Sequence, residues 1–259
     1  MRTLIITGGS SGIGQATADL FAAKGYKVFE LSRHGENRVG ITHIDCDVTS
    51  YDDCRNAAAK VAAETGKIDV LISNAGIGIS GAVEFTDINE AKRQFDVNFF
   101  GAANIAQAVL PYMRNERNGR IIFVSSLAAT FPIPYQAFYS ASKSAINAMA
   151  MAMCNEVREF DIKVCCLLPG DIKTGFTNSR TKSNAGSDVY TRMSKAVKKM
   201  EHDEQNGIMP ERIARKLLAL ASQGSPCMFS TVGLRYHLFV LLNKILPATL
   251  VNRVIGMMY

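Results

Sequence analysis

Tryptophan is absent from the 259 residues, and aromatic residues make up only 8% of the chain. No basic stretch is interleaved with aromatic side chains, as would be typical of a nucleic-acid-binding surface. The net charge of +6 is spread along the sequence and favours anionic ligands only mildly. We therefore expect no nucleic-acid partner.

The sequence also lacks the cysteine and histidine spacings of a metal site. It contains six cysteines, none of them in a C-x-x-C pair, and no histidine cluster accompanies them: Cys46, Cys54, Cys154, Cys165, Cys166 and Cys227. We expect no metal and six reduced cysteines, with Cys165 and Cys166 pointing to opposite faces of one strand. An apolar strand pattern begins almost at once, at Thr3, and leaves no room for a signal peptide, so we expect a cytoplasmic protein.

No uncharged apolar run approaches the roughly 20 residues that a membrane-spanning helix needs. The strongly apolar tail at 235–259 is interrupted by Lys244, Pro247, Asn252 and Arg253. Its pattern predicts an apolar helix, a break at Pro247 and a second helix. We expect this tail to be a lid or a subunit contact rather than a stable membrane anchor.

What the sequence does contain is a regular alternation of short apolar runs and longer helical patterns. Hydrophobic residues make up 47% and charged residues 20%, which is typical of a globular protein. Runs buried on both faces are expected at 4–7, 27–31, 41–46, 69–73, 120–125 and 163–168, and helices at 14–24, 52–65, 102–113 and 141–160. This alternation predicts an α/β fold, one doubly wound Rossmann domain over residues 1–259, with a mostly parallel sheet and helices on both faces.

The alternation breaks after Leu168. Residues 171–207 are polar with few apolar positions, and a helix resumes at 211–222. Long excursions after a strand are usually lids or binding loops, and ligands lie at the carboxyl ends of parallel strands. We expect a substrate lid at 171–207, whose excess of basic residues is slight and fits a solvated helix face.

A glycine-rich turn, Thr7-Gly-Gly-Ser-Ser-Gly-Ile-Gly14, joins the first strand to the first helix. Glycine lets the backbone approach a diphosphate closely, and the helix start holds the anion through its amides and dipole. The next strand ends in Ser32 and Arg33, where chains that bind NAD carry an acid. Arg33 could pair with a 2′-phosphate, whereas Glu30 lies two residues too early to bind the ribose. The pattern favours NADP over NAD.

A tyrosine and a lysine lie four residues apart, Tyr139 and Lys143, at the start of a helical pattern, so they share one face. A lysine ammonium favours the phenolate and lowers the pKa of a nearby tyrosine toward the working range. Ser126 ends a strand 13 residues earlier, where it could hydrogen-bond the same oxygen.

Together these motifs resemble the short-chain dehydrogenase/reductase family over essentially the whole chain. The matches occur in the family's order, and Ser73 replaces the usual second asparagine before Asn74. The resemblance implies that the cofactor is bound by Gly8, Ser10, Ser11, Gly12, Ile13, Gly14, Ser32, Arg33, Asp47, Val48, Asn74, Ala75, Gly76, Tyr139, Lys143, Pro169, Gly170, Ile172 and Thr174.

The same resemblance implies the catalytic roles. Tyr139 would be the general acid/base, Lys143 would bind the nicotinamide ribose and lower the tyrosine's pKa, and Ser126 would orient the substrate oxygen. Asn98, inside a helix, would hold a water that passes protons from Lys143 to solvent.

Apolar residues near the motifs suggest a hydrophobic ketone or secondary alcohol as substrate. The tail is loosely similar to the 17β-hydroxysteroid-dehydrogenase-like branch, which implies a steroid-like or lipid-like substrate. One alternative is 3-oxoacyl-carrier-protein reduction, with Arg192, Lys195 and Lys198 meeting an acidic carrier, and another is a nucleotide-sensing regulator without catalysis. The helix around 145–153 is apolar nearly all round, which predicts a homodimer or homotetramer paired through it and the helix at 102–113.

Overall fold

Every strand of the main sheet runs parallel to its neighbours. The computed structural model describes residues 1–259, and its seven-stranded sheet has the order β3-β2-β1-β4-β6-β7-β9. A separate two-stranded sheet pairs β5 with β8. The strands are β1 (Thr3–Thr7), β2 (Lys27–Ser32), β3 (Ile41–Asp45), β4 (Val70–Ser73), β5 (Ile79–Ser80), β6 (Gly119–Val124), β7 (Ile162–Leu167), β8 (Thr181–Lys182) and β9 (Phe229–Ser230).

Helices cover both faces of the sheet, which confirms the doubly wound α/β fold. One apolar cluster holds α2, α4 and α5 against one face, and a second holds α1 and α8 against the other. The helices are α1 (Gly12–Ala23), α2 (Tyr51–Thr65), α3 (Ile88–Phe95), α4 (Gly101–Asn115), α5 (Ala137–Glu156), α6 (Phe176–Ser179), α7 (Met193–Gln205), α8 (Pro210–Ser222), α9 (Leu234–Ile245) and α10 (Ala248–Met258).

The six strands expected from the sequence all form, and each of their ends lies within one residue of the predicted boundary. Strands β5, β8 and β9 were not predicted, because a two-residue strand leaves no apolar run to detect. Helix α5 begins earlier than expected, at Ala137, and ends at Glu156 instead of residue 160. A 3₁₀ turn at Arg158–Phe160 follows, and Asp161 takes a left-handed conformation that stops the helix.

The segment at 171–207 is more ordered than a loop. It contains α6, β8 and α7, and α7 buries Met193, Ala196 and Met200. The segment has few apolar residues, as expected, but three of them at helical spacing suffice to bury one face of α7. Its role as a lid stays a prediction, as does the description of residues 1–259 as a single domain.

No disulfide joins the six cysteines, and the side chains of Cys165 and Cys166 enter the apolar clusters on opposite faces of the sheet, as expected. The tail forms the two predicted helices, α9 and α10, on either side of Leu246 and Pro247. None of the helices combines the length and the uninterrupted hydrophobic stretch that a membrane span requires. The cytoplasmic location stays a prediction.

The order of the sheet reverses between β1 and β4, because β2 lies on one side of β1 while β4 and β6 follow on the other. Loops that leave the carboxyl ends of these strands turn in opposite directions and open a crevice. The glycine-rich turn after β1 and the loops that follow β4, β6 and β7 meet at this crevice.

Candidate active site

The turn after β1 has a backbone that only glycine tolerates. Gly8 and Gly12 have φ values of +64° and +53°. A side chain on Gly14 would place its Cβ 2.0 Å from the carbonyl oxygen of Gly8. The turn leads directly into α1, so the free amides of the helix start face the crevice. This geometry fits the diphosphate of a dinucleotide.

Thr7 fastens this turn to the loop after β4. Its hydroxyl accepts hydrogen bonds from the backbone N–H groups of Asn74 and Ala75, at 2.9 and 3.0 Å. The Asn74 amide donates in turn to the carbonyl oxygens of Thr7 and Gly8. Because these bonds cross the switch point of the sheet, the two sides of the crevice are held at a fixed separation.

At the end of β2, Arg33 is exposed and enters no salt bridge, so its guanidinium is available to a phosphate. Glu30 is buried, and one of its oxygens bonds the Ser32 hydroxyl at 2.9 Å and the His43 ring at 2.6 Å. Burial lowers the pKa of His43, but its contacts with Asp45 and Glu30 outweigh this and raise the pKa overall.

Arg38 was missed by the sequence analysis. It lies in the loop between β2 and β3, donates to the carbonyl oxygen of Gly9 at 3.1 Å and pairs with Asp19. With Ser10 and Glu30 it lines a small polar cavity of about 290 Å³ beside the glycine turn. Arg38 reaches the glycine turn only in the folded chain, so the local sequence pattern could not predict this contact.

Asp47 and Val48 lie after β3, outside the main cavity. The Asp47 carboxylate accepts bonds from the backbone and hydroxyl of Thr49, and the Val48 side chain packs in the core against Gly101. Both residues follow the carboxyl end of β3, which pairs with β2, and their contact with the cofactor stays a prediction.

Tyr139 and Lys143 lie in the first turns of α5, on one face as predicted. The Lys143 ammonium donates to the carbonyl oxygen of Val124 at 3.0 Å and lies 5.9 Å from the centre of the Tyr139 ring. Ser126 lies two residues beyond the end of β6, where its hydroxyl caps a 3₁₀ turn by accepting from the Ala128 N–H. The three side chains face one cavity.

Burial dominates the electrostatics of this pair. It raises the pKa of Tyr139 to about 12, which the nearby Ser126 hydroxyl opposes, and it lowers the pKa of Lys143 to about 8. The expected lowering of the Tyr139 pKa by Lys143 is therefore not what the protein by itself produces. The pKa is raised because transferring a phenolate out of water costs more free energy than the neighbouring polar and charged groups contribute by stabilising it.

Asn98 lies in a π-helical turn, Asp96–Phe100, between α3 and α4. It is fully buried behind the cavity, where its oxygen accepts from the Ile77 N–H at 2.8 Å and its amide donates to the Ile77 carbonyl and the Ser142 hydroxyl. The Ser142 hydroxyl donates to the Tyr139 carbonyl. Asn98 thus connects the loop after β4 to the first turn of α5.

The main cavity has a volume of about 540 Å³, and 19 of its 37 lining residues are hydrophobic. It joins the glycine turn to the Ser126, Tyr139 and Lys143 side chains. Of the predicted site residues it is lined by Gly8, Ser11, Gly12, Ile13, Asn74, Ala75, Gly76, Ser126, Tyr139, Lys143, Pro169, Gly170, Ile172 and Thr174. It is not lined by Ser10, Gly14, Ser32, Arg33, Asp47, Val48 or Asn98.

The tail supplies cavity walls that the sequence analysis did not assign to individual residues. The ring of Tyr236 packs over Gly170, and its hydroxyl donates to Asp171 at 2.7 Å. Burial raises the pKa of Asp171. Glu204 of α7 also lines the cavity and pairs with the buried Arg180. Helical spacing predicts the two helices of the tail, but because both sides of α9 carry apolar residues it does not indicate which side meets the cavity.

Comparison with known proteins agrees with this geometry. A family model described as short chain dehydrogenase matches residues 2–185. A 3-ketodihydrosphingosine reductase of Bacteroides thetaiotaomicron is 39% identical over 236 residues, covering 90% of this chain and 88% of the relative. A 3-oxoacyl-[acyl-carrier-protein] reductase of Mycobacterium tuberculosis, MabA, is 32% identical over 178 residues, covering 69% and 72%.

The crystal structure of a short-chain dehydrogenase from Streptomyces avermitilis superposes with a TM-score of 0.83 and 26% identity, covering 94% of both chains. The parallel sheet, the glycine turn at its switch point and the matched family model lead to one conclusion: the chain belongs to the short-chain dehydrogenase/reductase family, whose members are oxidoreductases that bind NAD(P).

Proposed function

We propose that this protein is an NADP(H)-dependent oxidoreductase that interconverts a ketone and a secondary alcohol on a hydrophobic, lipid-like or steroid-like substrate. One observation carries the proposal: Ser126, Tyr139 and Lys143 share a largely apolar cavity with the glycine turn. A carbonyl held at the tyrosine would therefore lie in the same space as a dinucleotide bound at the turn.

When bound, the nicotinamide supplies or accepts the hydride. Tyr139 gives its phenolic proton to the substrate oxygen during reduction and takes it back during oxidation. With a pKa of about 12, the phenol keeps this proton at neutral pH until charge develops on the substrate oxygen. Ser126 donates a hydrogen bond to the same oxygen and stabilises that charge.

Lys143 supports the tyrosine through its charge. Below its pKa of about 8 it is an ammonium, which favours the phenolate that forms as the proton leaves. Asn98 holds the Ile77 backbone and, through Ser142, the first turn of α5. We propose Asn98 as a positioning residue, and its part in a water-borne proton path stays a prediction.

Three features support NADP over NAD. Arg33 is exposed and unpaired at the end of β2, Ser32 takes the place of an acid, and Arg38 adds a second guanidinium beside the glycine turn. Glu30 is the acidic side chain that could otherwise bind a ribose hydroxyl, and it already uses one carboxylate oxygen in its contacts with the Ser32 hydroxyl and the His43 ring. A 2′-phosphate would meet cations at this edge of the crevice.

The substrate proposal follows from the cavity and from the relatives. The tail contributes Phe239, Leu242, Leu246, Val251 and Val254 to its walls, which suits a long apolar chain. The Bacteroides thetaiotaomicron relative is named for a ketone on such a lipid. We propose a ketone carried by a long-chain lipid as the first substrate to test.

A second candidate is 3-oxoacyl-carrier-protein reduction, the activity for which the Mycobacterium tuberculosis relative is named. Lys195 and Lys198 of α7 are exposed and form no salt bridge, so an acidic carrier could meet them. Salt-sensitive turnover of acyl-carrier substrates in preference to free lipid ketones would favour this candidate. The predicted homodimer or homotetramer belongs to either function, and sedimentation as a monomer at micromolar concentration would remove it.

The test of the proposal is Tyr139→Phe. Without the phenolic proton we expect ketone reduction with NADPH to fall at least about a hundredfold, while NADPH binding is kept. Tyr135→Phe serves as the control, since it removes a hydroxyl from a loop residue outside the cavity lining. Turnover close to wild type in Tyr139→Phe would remove the assignment, and absence of turnover from the unaltered protein over a broad ketone panel, with tight NADPH binding, would favour the nucleotide-sensing regulator.

A further inference from the structure

The C-terminal hairpin, residues 234–259, exposes an unusual amount of apolar surface. Of the 20 large hydrophobic residues exposed in the whole chain, nine lie in these 26 residues. Leu234, Ile245 and Met257 have exposed fractions of 88%, 70% and 68%. Scattered exposed leucines are ordinary on a protein surface, but a contiguous set on two adjacent helices marks an interaction surface.

Helical spacing gathers these residues on one side of each helix. In α9, Leu234, Leu238, Leu241 and Ile245 recur at intervals of three or four and are exposed, whereas Tyr236 and its neighbours on the opposite side line the cavity. The hairpin therefore has an apolar stripe toward the cavity and a second one toward solvent.

Helix α10 repeats the arrangement. Leu250 and Met257 are exposed, while Val251, Ile255 and Met258 line the cavity. Three residues do both, since they line the cavity and are also exposed: Leu242, Leu246 and Val254. These three form an apolar rim through which the cavity is continuous with the outer surface.

The hairpin is held in this orientation by polar contacts on its inner side. The Tyr236 hydroxyl donates to Asp171 at 2.7 Å, and Arg192 of α7 donates to the Gly256 carbonyl at 2.8 Å. These bonds fix the inward stripe over the strand ends. The outward stripe therefore stays exposed and packs against no other part of the chain.

All the charged side chains in the last part of the sequence, residues 212–259, are basic. No Asp or Glu occurs after Glu211, whereas six basic residues do: Arg212, Arg215, Lys216, Arg235, Lys244 and Arg253. The remaining 23 basic residues equal the 23 acidic ones, so residues 212–259 account for the whole net charge of +6. Lys244 and Arg253 are exposed on the hairpin itself, next to the apolar stripe.

We propose that the outer face of the hairpin docks this protein reversibly on the surface of an anionic lipid bilayer, with the apolar rim turned toward the acyl chains. An apolar stripe flanked by cations matches the boundary between acyl chains and anionic headgroups. The helices contain 12 and 11 residues, too few to span a bilayer, so they lie in its interface.

A second copy of the chain fits this face less well. A two-fold contact through the hairpin would bring Lys244 and Arg253 of both copies together with no Asp or Glu side chain on the hairpin to neutralise them. The docking inference goes beyond the proposed reaction and does not depend on it, because lipid binding is measured without turnover.

The experiment is flotation of the full chain with vesicles of phosphatidylcholine containing roughly one-third phosphatidylglycerol, compared with vesicles of phosphatidylcholine alone. We expect binding to the anionic vesicles that weakens as salt is raised. Equal binding to both vesicles, or none to the anionic ones, overturns the proposal.

Two double variants separate the apolar and the charged contributions. Leu238→Ser with Ile245→Ser is expected to weaken vesicle partitioning at least about tenfold, because two exposed aliphatic side chains that would enter the bilayer are lost. Val39→Ser with Ile88→Ser is its control, since both residues are exposed but distant in sequence from the hairpin. Unchanged partitioning in the first variant, with its fold intact by circular dichroism, contradicts the docking face.

Lys244→Glu with Arg253→Glu is expected to weaken partitioning into anionic vesicles at least about twentyfold, because each cation near the surface contributes about fivefold. Lys24→Glu with Lys60→Glu makes the same charge change at exposed positions elsewhere and should have a smaller effect. If the stripe variant instead converts an oligomer to a monomer in sedimentation, the face is a subunit contact and the proposal is wrong.

Discussion

The two walls of the crevice differ in the secondary structure that forms them. The side that we propose for the cofactor consists of buried parallel strands and the glycine turn that leads into α1. Its polar groups are used within the fold, as the Thr7 hydroxyl shows by accepting two backbone hydrogen bonds. The side that we propose for the substrate consists of helices laid over the strand ends, held by a few polar contacts, with apolar residues on both of their faces.

This difference indicates how each wall responds to change. The first wall is close-packed, so a single added methyl group meets backbone atoms that cannot move away. A helical wall with an open outer face can shift or accept substitution at small cost. We expect the first wall to be intolerant of substitution and the second to be adaptable.

The largest expected effect comes from adding one methyl group to the cofactor wall. In Gly14→Ala the new Cβ would lie 2.0 Å from the Gly8 carbonyl oxygen, so the glycine turn must shift. We expect a loss of about 1–3 kcal/mol in the free energy of unfolding, with weakened dinucleotide binding. Urea unfolding and NADPH titration measure the two effects.

Gly256→Ala is the matched change in the substrate wall. Gly256 lies in α10, where an added Cβ meets no atom within 4 Å. Because alanine is the better helix former, we expect stability to be unchanged or raised by up to about 1 kcal/mol. Equal losses from the two glycine substitutions would contradict the contrast between the walls.

The next effect concerns the choice of cofactor. Arg33→Ala is expected to raise the KM for NADPH about tenfold to a hundredfold and to leave the KM for NADH nearly unchanged, because only the 2′-phosphate would lose its partner. Arg55→Ala, on the exposed face of α2, is the control. If both KM values rose together, Arg33 would be acting through the fold of the β2 end and not through a phosphate.

The pH dependence of ketone reduction should follow Lys143. Its pKa is lowered to about 8 by burial, so the side chain is an ammonium below that pH and neutral above it. Since the ammonium favours the departing phenolate, kcat is expected to be level below about pH 7 and to fall up to about tenfold per pH unit above pH 8. Ser126→Ala should lower the rate without moving this fall, and a profile level to pH 10 would remove Lys143 from the mechanism.

The smallest effect is expected at the contact between Tyr236 and Asp171, which holds the hairpin over the strand ends. Tyr236→Phe removes the bond that the hydroxyl donates to the Asp171 carboxylate and the bond that it accepts from the Asp171 N–H, and should lower the free energy of unfolding by about 1–2 kcal/mol. Because Tyr236 also lines the cavity, the KM for a long-chain ketone should rise while the KM for NADPH stays constant. Equal changes in both KM values would show that the hairpin and the cofactor wall behave as one unit.

The local sequence pattern was sufficient to predict those parts of the fold that depend on residues close together in the sequence. Runs of apolar residues bounded by polar turns predicted six strands, because a strand that is buried on both faces must consist almost entirely of apolar residues. The glycines of the β1–α1 turn and the spacing of Tyr139 and Lys143 were equally readable, since positive φ values and a shared helix face depend on neighbours in sequence.

What the tertiary structure decided are the relations between distant segments. It brought Arg38 back to the glycine turn, laid Tyr236 over Gly170, and buried Tyr139 deeply enough for desolvation to raise its pKa to about 12 against the expectation from a nearby lysine. The periodicity of the tail specified two helices with apolar residues on both sides, but not which side would meet the cavity. Burial and long-range contact depend on the packing of the whole chain, and a one-dimensional pattern carries that information only where neighbours in sequence are also neighbours in space.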